Sequence, residues 1–252
     1  MRGLAIILLI SLVSCTGNKN GIDKTSIADS SSKVSTINDL AGDWVNLKYL
    51  RSIQKTKSPK ISQNVGEYSY ISFSNDTALF ILGFHEGVDL KVKSDGANNF
   101  YCVGYDNDTI RMIVSNDNMT VIHKGARETY LKYQVSLPND EFAIRLLNKE
   151  IFSGDYRDVD SPNHTVVFSD DGSVKGFLDF TSYFVSPDYY DAGCEFDIIY
   201  MRMRPEDRFE YTWTFSKDTL KIYNLDCQVF DSLNNVCAET KKGKLLYRLI
   251  KK

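Results

Sequence analysis

The pentapeptide Leu40-Ala41-Gly42-Asp43-Trp44 returns as Phe152-Ser153-Gly154-Asp155-Tyr156. Each copy reads apolar, small, Gly, Asp, aromatic, and the two glycines stand 112 positions apart (154 − 42). Each precedes a train of short segments with apolar residues at alternate positions, the period that puts one face of a β-strand into a core. That layout predicts two copies of one small β unit. An aromatic share of 12%, with 15 Tyr and 14 Phe, suits it, because rings pack well on a pleated face.

The first unit, residues 37–136, predicts about eight strands, at 45–50, 68–73, 78–84, 88–92, 100–103, 110–114, 119–122 and 130–133. Ser74-Asn75-Asp76, Asp106-Asn107-Asp108 and Asn116-Asp117-Asn118 between them are turn chemistry. Residues 51–65, basic and polar with Pro59, read as a long loop. No helix longer than a turn or two is expected here.

Pro138-Asn139-Asp140 marks the boundary to the second unit, within 137–252. Residues 141–149 then place Phe142, Leu146 and Ile144 or Leu147 at helical spacing, a short helix between the units. A hairpin follows, 166–168 and 174–180 around Asp170-Asp171-Gly172, and then an insertion at 181–191. Later landmarks repeat as well. Asp108-Thr109-Ile110-Arg111 matches Asp218-Thr219-Leu220-Lys221, and Leu131-Lys132-Tyr133 matches Tyr247-Arg248-Leu249. The expected fold is all-β, two tandem antiparallel up-and-down barrels of about eight strands each.

Ahead of the units, Arg2 supplies a positive start, and residues 4–13 form an apolar run too short to span a bilayer comfortably. The run ends in Leu12-Val13-Ser14-Cys15, which resembles the lipobox of bacterial lipoproteins. The resemblance implies a signal peptide over 1–14, cleavage before Cys15 and a diacylglyceryl group on that cysteine. Thr16 follows instead of Asp, and no acidic cluster comes after it, so an outer-membrane lipoprotein facing the periplasm is the expected location. Residues 15–36 are polar with no apolar period, a flexible tether.

The Gly-x-aromatic openings, the strand count and the matching last strands resemble the lipocalin-like lipoproteins of Bacteroidetes, small barrels that begin Gly-x-Trp. That resemblance implies that Gly42 and Gly154 turn the chain into each first strand, that Trp44 and Tyr156 plug one end, and that Lys132 and Arg248 lie across the rings. Tyr156 departs from the family's Trp.

Chemistry-bearing residues are sparse. His85, His123 and His164 lie far apart without a ligand at metal spacing, and read as surface or loop histidines. No nucleophile elbow, phosphate loop or dinucleotide fingerprint occurs, so no enzyme, cofactor or metal is expected. A net charge of −3, dispersed along the chain, argues against nucleic acid. Cys227 and Cys237 flank Asp231-Ser232-Leu233, so a hairpin there would oppose them in a disulfide; free buried thiols are the other reading. Phe209, Tyr211, Trp213 and Phe215 alternate along one strand, and Phe196, Ile198 and Tyr200 along another. Phe196, Tyr200, Phe209, Tyr211, Trp213 and Phe215 either line a cavity for an apolar or sugar-like molecule or simply fill a small barrel. The function these features fit is a monomeric, membrane-anchored, non-catalytic module that binds or scaffolds. The alternative is a protein-interaction or inhibitor module acting through loops 51–65 and 181–191.

Overall fold

Asn75 and Asn116 sit at φ 55° and 53°, the left-handed region that asparagine tolerates at a tight reversal. Such turns fold the first unit into a meander. The computed structural model describes residues 36–82, 86–104, 106–133, 142–189, 195–231 and 236–252. Cys15 with the leader and tether, His85, the Pro138-Asn139-Asp140 boundary and Cys194 lie outside the described residues.

Nine antiparallel strands make barrel 1: β1 (Gly42–Asn46), β2 (Tyr70–Ser74), β3 (Thr77–Leu82), β4 (Glu86–Lys91), β5 (Lys93–Ser94), β6 (Asn99–Val103), β7 (Thr109–Ser115), β8 (Asn118–His123) and β9 (Ala126–Tyr133). Their order, β4-β3-β2-β1-β9-β8-β7-β6-β5, is an up-and-down sheet that curls until nearly closed. Apolar residues alternate with exposed ones along β7, where Ile110, Met112 and Val114 point inward. Trp44, Phe80, Phe100, Met119 and Tyr130 complete the interior.

Barrel 2 has eight strands: β10 (Gly154–Asp158), β11 (Thr165–Phe168), β12 (Val174–Lys175), β13 (Ser182–Val185), β14 (Ile199–Arg202), β15 (Phe209–Ser216), β16 (Thr219–Asp231) and β17 (Val236–Lys251). The order is β12-β11-β10-β17-β16-β15-β14-β13, and a bridge between Ser173 and Ser182 joins its edges. Two expectations change here. The strand foreseen over 174–180 stops at Lys175, because Gly176, at φ 69°, turns the chain so that Phe177 and Phe180 enter the barrel. The insertion foreseen at 181–191 carries β13, an integral strand.

Among the described residues, four helices accompany the sheets: α1 (Ile37–Leu40), α2 (Leu47–Thr56), α3 (Pro59–Ser62) and α4 (Phe142–Leu147), the last continuing into a π-helical turn, Asn148–Phe152. The long loop expected at 51–65 is therefore largely helical, and α2 runs ten residues. The first strand ends at Asn46 because its side chain caps α2, accepting from the Lys48 and Tyr49 amides at 2.9 and 3.4 Å. Tyr49, Leu50 and Ile53 then form a buried stripe at helical spacing. Lys57, at φ 54°, ends α2, and Ser58 caps α3.

The barrels share a core. Val45, Tyr70 and Ile81 on the outer wall of barrel 1 join the α2 stripe, Phe142 and Leu146 of α4, and the interior of barrel 2 in one apolar cluster. The interior of barrel 1 is a separate cluster. Polar links cross the same junction: the Tyr133 hydroxyl donates to Glu150 at 2.8 Å, and Trp213 Nε1 donates to the Lys57 carbonyl at 3.1 Å. Phe152, fully buried, lies where these elements meet. Phe152→Ala should cost about 3–5 kcal/mol. Because the core is shared, calorimetry should show one unfolding transition moved to lower temperature; two transitions of which only one moves would contradict this.

Candidate functional site

The repeated pentapeptide builds the same clamp twice. Trp44 is fully buried, and its Nε1 donates to the Leu40 carbonyl at 2.7 Å. Lys132 Nζ lies 5.4 Å from the ring centroid and donates to the Asp39 carbonyl at 2.9 Å. In barrel 2 the Tyr156 hydroxyl donates to the Phe152 carbonyl at 2.7 Å. Lys251 Nζ lies 5.8 Å from that ring and donates to the Ser153 carbonyl at 2.8 Å. Gly42 and Gly154 take φ of 106° and 142°, which side-chain-bearing residues rarely adopt.

The basic partner of Tyr156 is thus Lys251 and not Arg248, which pairs with Asp160. Register decides it: Tyr156 pairs with Lys251 as Trp44 pairs with Lys132. The Asp-Thr landmark shifts too. The Lys132 amide donates to the Asp117 carbonyl and the Lys251 amide to the Asp218 carbonyl, so Asp218 is the counterpart of Asp117. Ser115-Asn116-Asp117 and Ser216-Lys217-Asp218 make equivalent turns, Lys217 at φ 55°. Because such turns recur at several hairpins, the matching tetrapeptide at Asp108 marks a strand one place earlier.

The six aromatic candidates divide between two faces. Tyr211, Trp213 and Phe215 face the core of barrel 2, where Phe152 meets Trp213 at 5.0 Å and Phe215 at 6.1 Å. Phe180 meets Phe209 at 5.7 Å and Tyr211 at 6.1 Å from the other end, leaving Phe209 40% exposed at the rim. This face is filled by side chains. Tyr200 pairs with Glu210 and so lies on the opposite face, stacked on Phe184 at 4.6 Å with the Arg208 guanidinium 4.0 Å above it. Phe196 is half-buried in a bend before β14. The inward residues of β14 are Ile199 and Met201, both fully buried.

Cys227 and Cys237 form a disulfide with Cα atoms 5.7 Å apart. They are not directly opposed: Cys227 pairs with Thr240 and Cys237 with Phe230, and bulges between these positions bring the sulfurs together. Cys102 is a free, buried thiol whose pKa burial pushes up to about 12.

The mouth of barrel 1 holds the polar constellation. β1 starts and β8 starts at the Trp44 end, so His123, the last residue of β8, lies at the other end. A cavity of about 190 Å³ opens there over Phe80, Val88, Leu90 and Ile110, with Glu67, Asp106, Asp108, His123 and Lys124 around it. The expectation of a surface histidine fails at His123, which is 7% exposed. Its Nδ1 lies 2.5 Å from Glu67 Oε1 and its Nε2 3.9 Å from Asp108 Oδ2. Lys124 Nζ pairs with Asp108 at 3.0 Å. These partners come from distant turns, so no local spacing announces them. Burial, then Glu67 and Asp108, push the Tyr68 phenol up to about 12. Among the described residues, no group of three or more His, Cys, Asp or Glu could hold a metal ion.

Glu128 braces this mouth from below. Its carboxylate accepts from Asn46 Nδ2 at 2.7 Å, Lys48 Nζ at 3.0 Å and the Glu67 amide at 3.1 Å. Burial alone would raise its pKa, but the hydrogen bonds outweigh burial and hold it below the ordinary 4.5. A depressed folded pKa contributes stability that is present above the unfolded value and lost as pH falls through the folded one. Glu128→Gln should therefore cost about 2 kcal/mol at pH 7. Urea titrations from pH 6 to pH 3 should show the variant losing less stability over that range than the wild type; parallel pH profiles would contradict the role.

No family model, curated protein or solved structure gives a match to this chain.

Proposed function

We propose that this chain is a lipid-anchored protein of the bacterial envelope, a non-catalytic binding module that takes a small apolar molecule into the open end of barrel 1. The Bacteroidetes lipoprotein resemblance and the lipobox around Cys15 support the anchor. The observation that carries the binding reading is the cavity itself, an apolar floor ringed by charge at the end opposite the Trp44 clamp. Acid exceeds base around it, with Glu67, Asp106 and Asp108 against Lys124 and a histidine, so a neutral or cationic head group suits the rim and an anion does not. Among the described residues, Phe152, Phe177 and Phe180 occupy the interior of barrel 2. The alternative, a protein-interaction module through loops 51–65 and 181–191, loses ground because those segments carry α2, α3 and β13; a module of that kind would instead use the β16–β17 hairpin, where Val229 and Phe230 are 47% and 60% exposed beside the disulfide.

Ile110→Trp fills the proposed cavity. Cyclohexylamine should bind the wild type saturably by calorimetry, and the variant should fail to bind it while remaining folded. Equal binding by wild type and variant would remove the reading. The anchor is tested separately: cells expressing the wild type should incorporate labelled palmitate into the protein and hold it in the membrane fraction. Cys15→Ala should lose both, and a palmitate-labelled variant would refute the lipid assignment.

A further inference from the structure

Asn148 opens the π-helical turn and is fully buried. Its Oδ1 accepts from the Val185 amide at 3.1 Å, and that requirement for an acceptor sets which way the side-chain amide faces. Nδ2 is left on the other side with no hydrogen-bond partner. A buried amide group in that state has lost its water without a replacement.

The orphaned group borders a cavity of about 350 Å³ on the flank of barrel 2, between α4 and the β12–β13 seam. Gly172 keeps the wall open there. At φ 84°, a Cβ on it would come 3.2 Å from Asn148 Nδ2 and 2.7 Å from the Tyr183 carbonyl. Arg202 borders the same cavity with its guanidinium 4.8 Å above the Phe184 ring, and its Nε is a second donor atom without a partner. Asp171, also at the cavity, is already engaged, accepting from the Ser173 amide at 2.8 Å. Arg145 lines the cavity beside it. Ile144 and Phe184 add apolar surface. π-helical turns of this kind recur at functional sites.

We infer that this cavity is a second ligand site, for a small molecule or chain end bearing one carboxylate. A carboxylate supplies the acceptor that Asn148 Nδ2 lacks and presents a planar pair of oxygens to Arg202, whose fork of donors matches that shape. A single negative charge matches the one guanidinium of Arg202. A dianion would exceed it and crowd Asp171.

The test uses the whole mature chain with benzoate as probe, followed through the ¹⁵N side-chain amide of Asn148. Benzoate should move that resonance saturably, and neutral benzyl alcohol should bind at least tenfold more weakly. Asn148→Asp keeps the acceptor for the Val185 amide and removes the donor, so benzoate binding should be lost. Should that variant fail to fold, Arg202→Gln, at a half-buried position, decides: binding should weaken at least tenfold. Acetyl-glycylglycine binding more tightly than benzoate would identify a peptide C-terminus as the source of the carboxylate, and the reverse order a free acid. Ile110→Trp should leave benzoate binding unchanged, which separates this site from the mouth of barrel 1. An unmoved Asn148 resonance, or equal benzoate binding by wild type and Arg202→Gln, would overturn the inference.

Discussion

Phe152 fills barrel 2 from a turn that packs against α2. Its ring contacts Phe168, Tyr183, Trp213 and Phe215, and its carbonyl accepts the Tyr156 hydroxyl. The same cluster reaches the outer wall of barrel 1 through α2 and α4. A small barrel buries a modest core on its own. Turning the wall of one barrel into part of the other's core enlarges what each can bury. The helices at 47–62 belong to this joint: Asn46 ends the first strand so that the next residues can cover the junction.

The two clamps show how a duplicated device diverges without losing its shape. Barrel 1 uses Leu40 and Trp44, barrel 2 Phe152 and Tyr156, so the smaller plug in the second is matched by a larger residue four positions before it. Keeping total volume while changing its distribution is the kind of core substitution tolerated best. The lysine above each ring contributes less than burial does. A cation–π contact gives about 0.5–1 kcal/mol at an exposed site, against about 1.5–3 kcal/mol for burying a large apolar side chain. Its further role is positional, since it ties the last strand to a carbonyl of the turn that leads into the first.

Much of this was legible in the sequence because it is local. Turn residues and strand parity mark most strands of barrel 1, and the pentapeptide marks where each barrel begins. The rest depends on register or distance. Residues 196–201 offer apolar side chains at both parities, so alternation could not say that Ile199 and Met201 face inward and Tyr200 outward. Arg248 and Lys251 are both basic residues near the end of one strand, and pairing with β10 alone separates them. The α2 stripe of Tyr49, Leu50 and Ile53 was hidden by the basic residues that make its outer face. His123 meets Glu67 across 56 positions, which no spacing rule covers. The disulfide was legible as a pair but not in its register, because bulges shift the hairpin.

A filled barrel still leaves cavities, and the plugs determine where they lie. Trp44 closes barrel 1 at one end and leaves the other end for a cavity. Barrel 2 receives Phe152 at its clamp end and Phe177 and Phe180 at the other, which moves available space to its flank. Asn148 and Phe152 then stand at the two ends of one π-helical turn, the first facing that flank and the second the shared core. Asn148 Oδ1 accepts from the Val185 amide and so ties the start of that turn to β13. An acceptor for Asn148 Nδ2 would steady the turn that presents Phe152. Occupation of the flank would therefore be felt as added stability across the shared core, without contact between ligand and barrel interior.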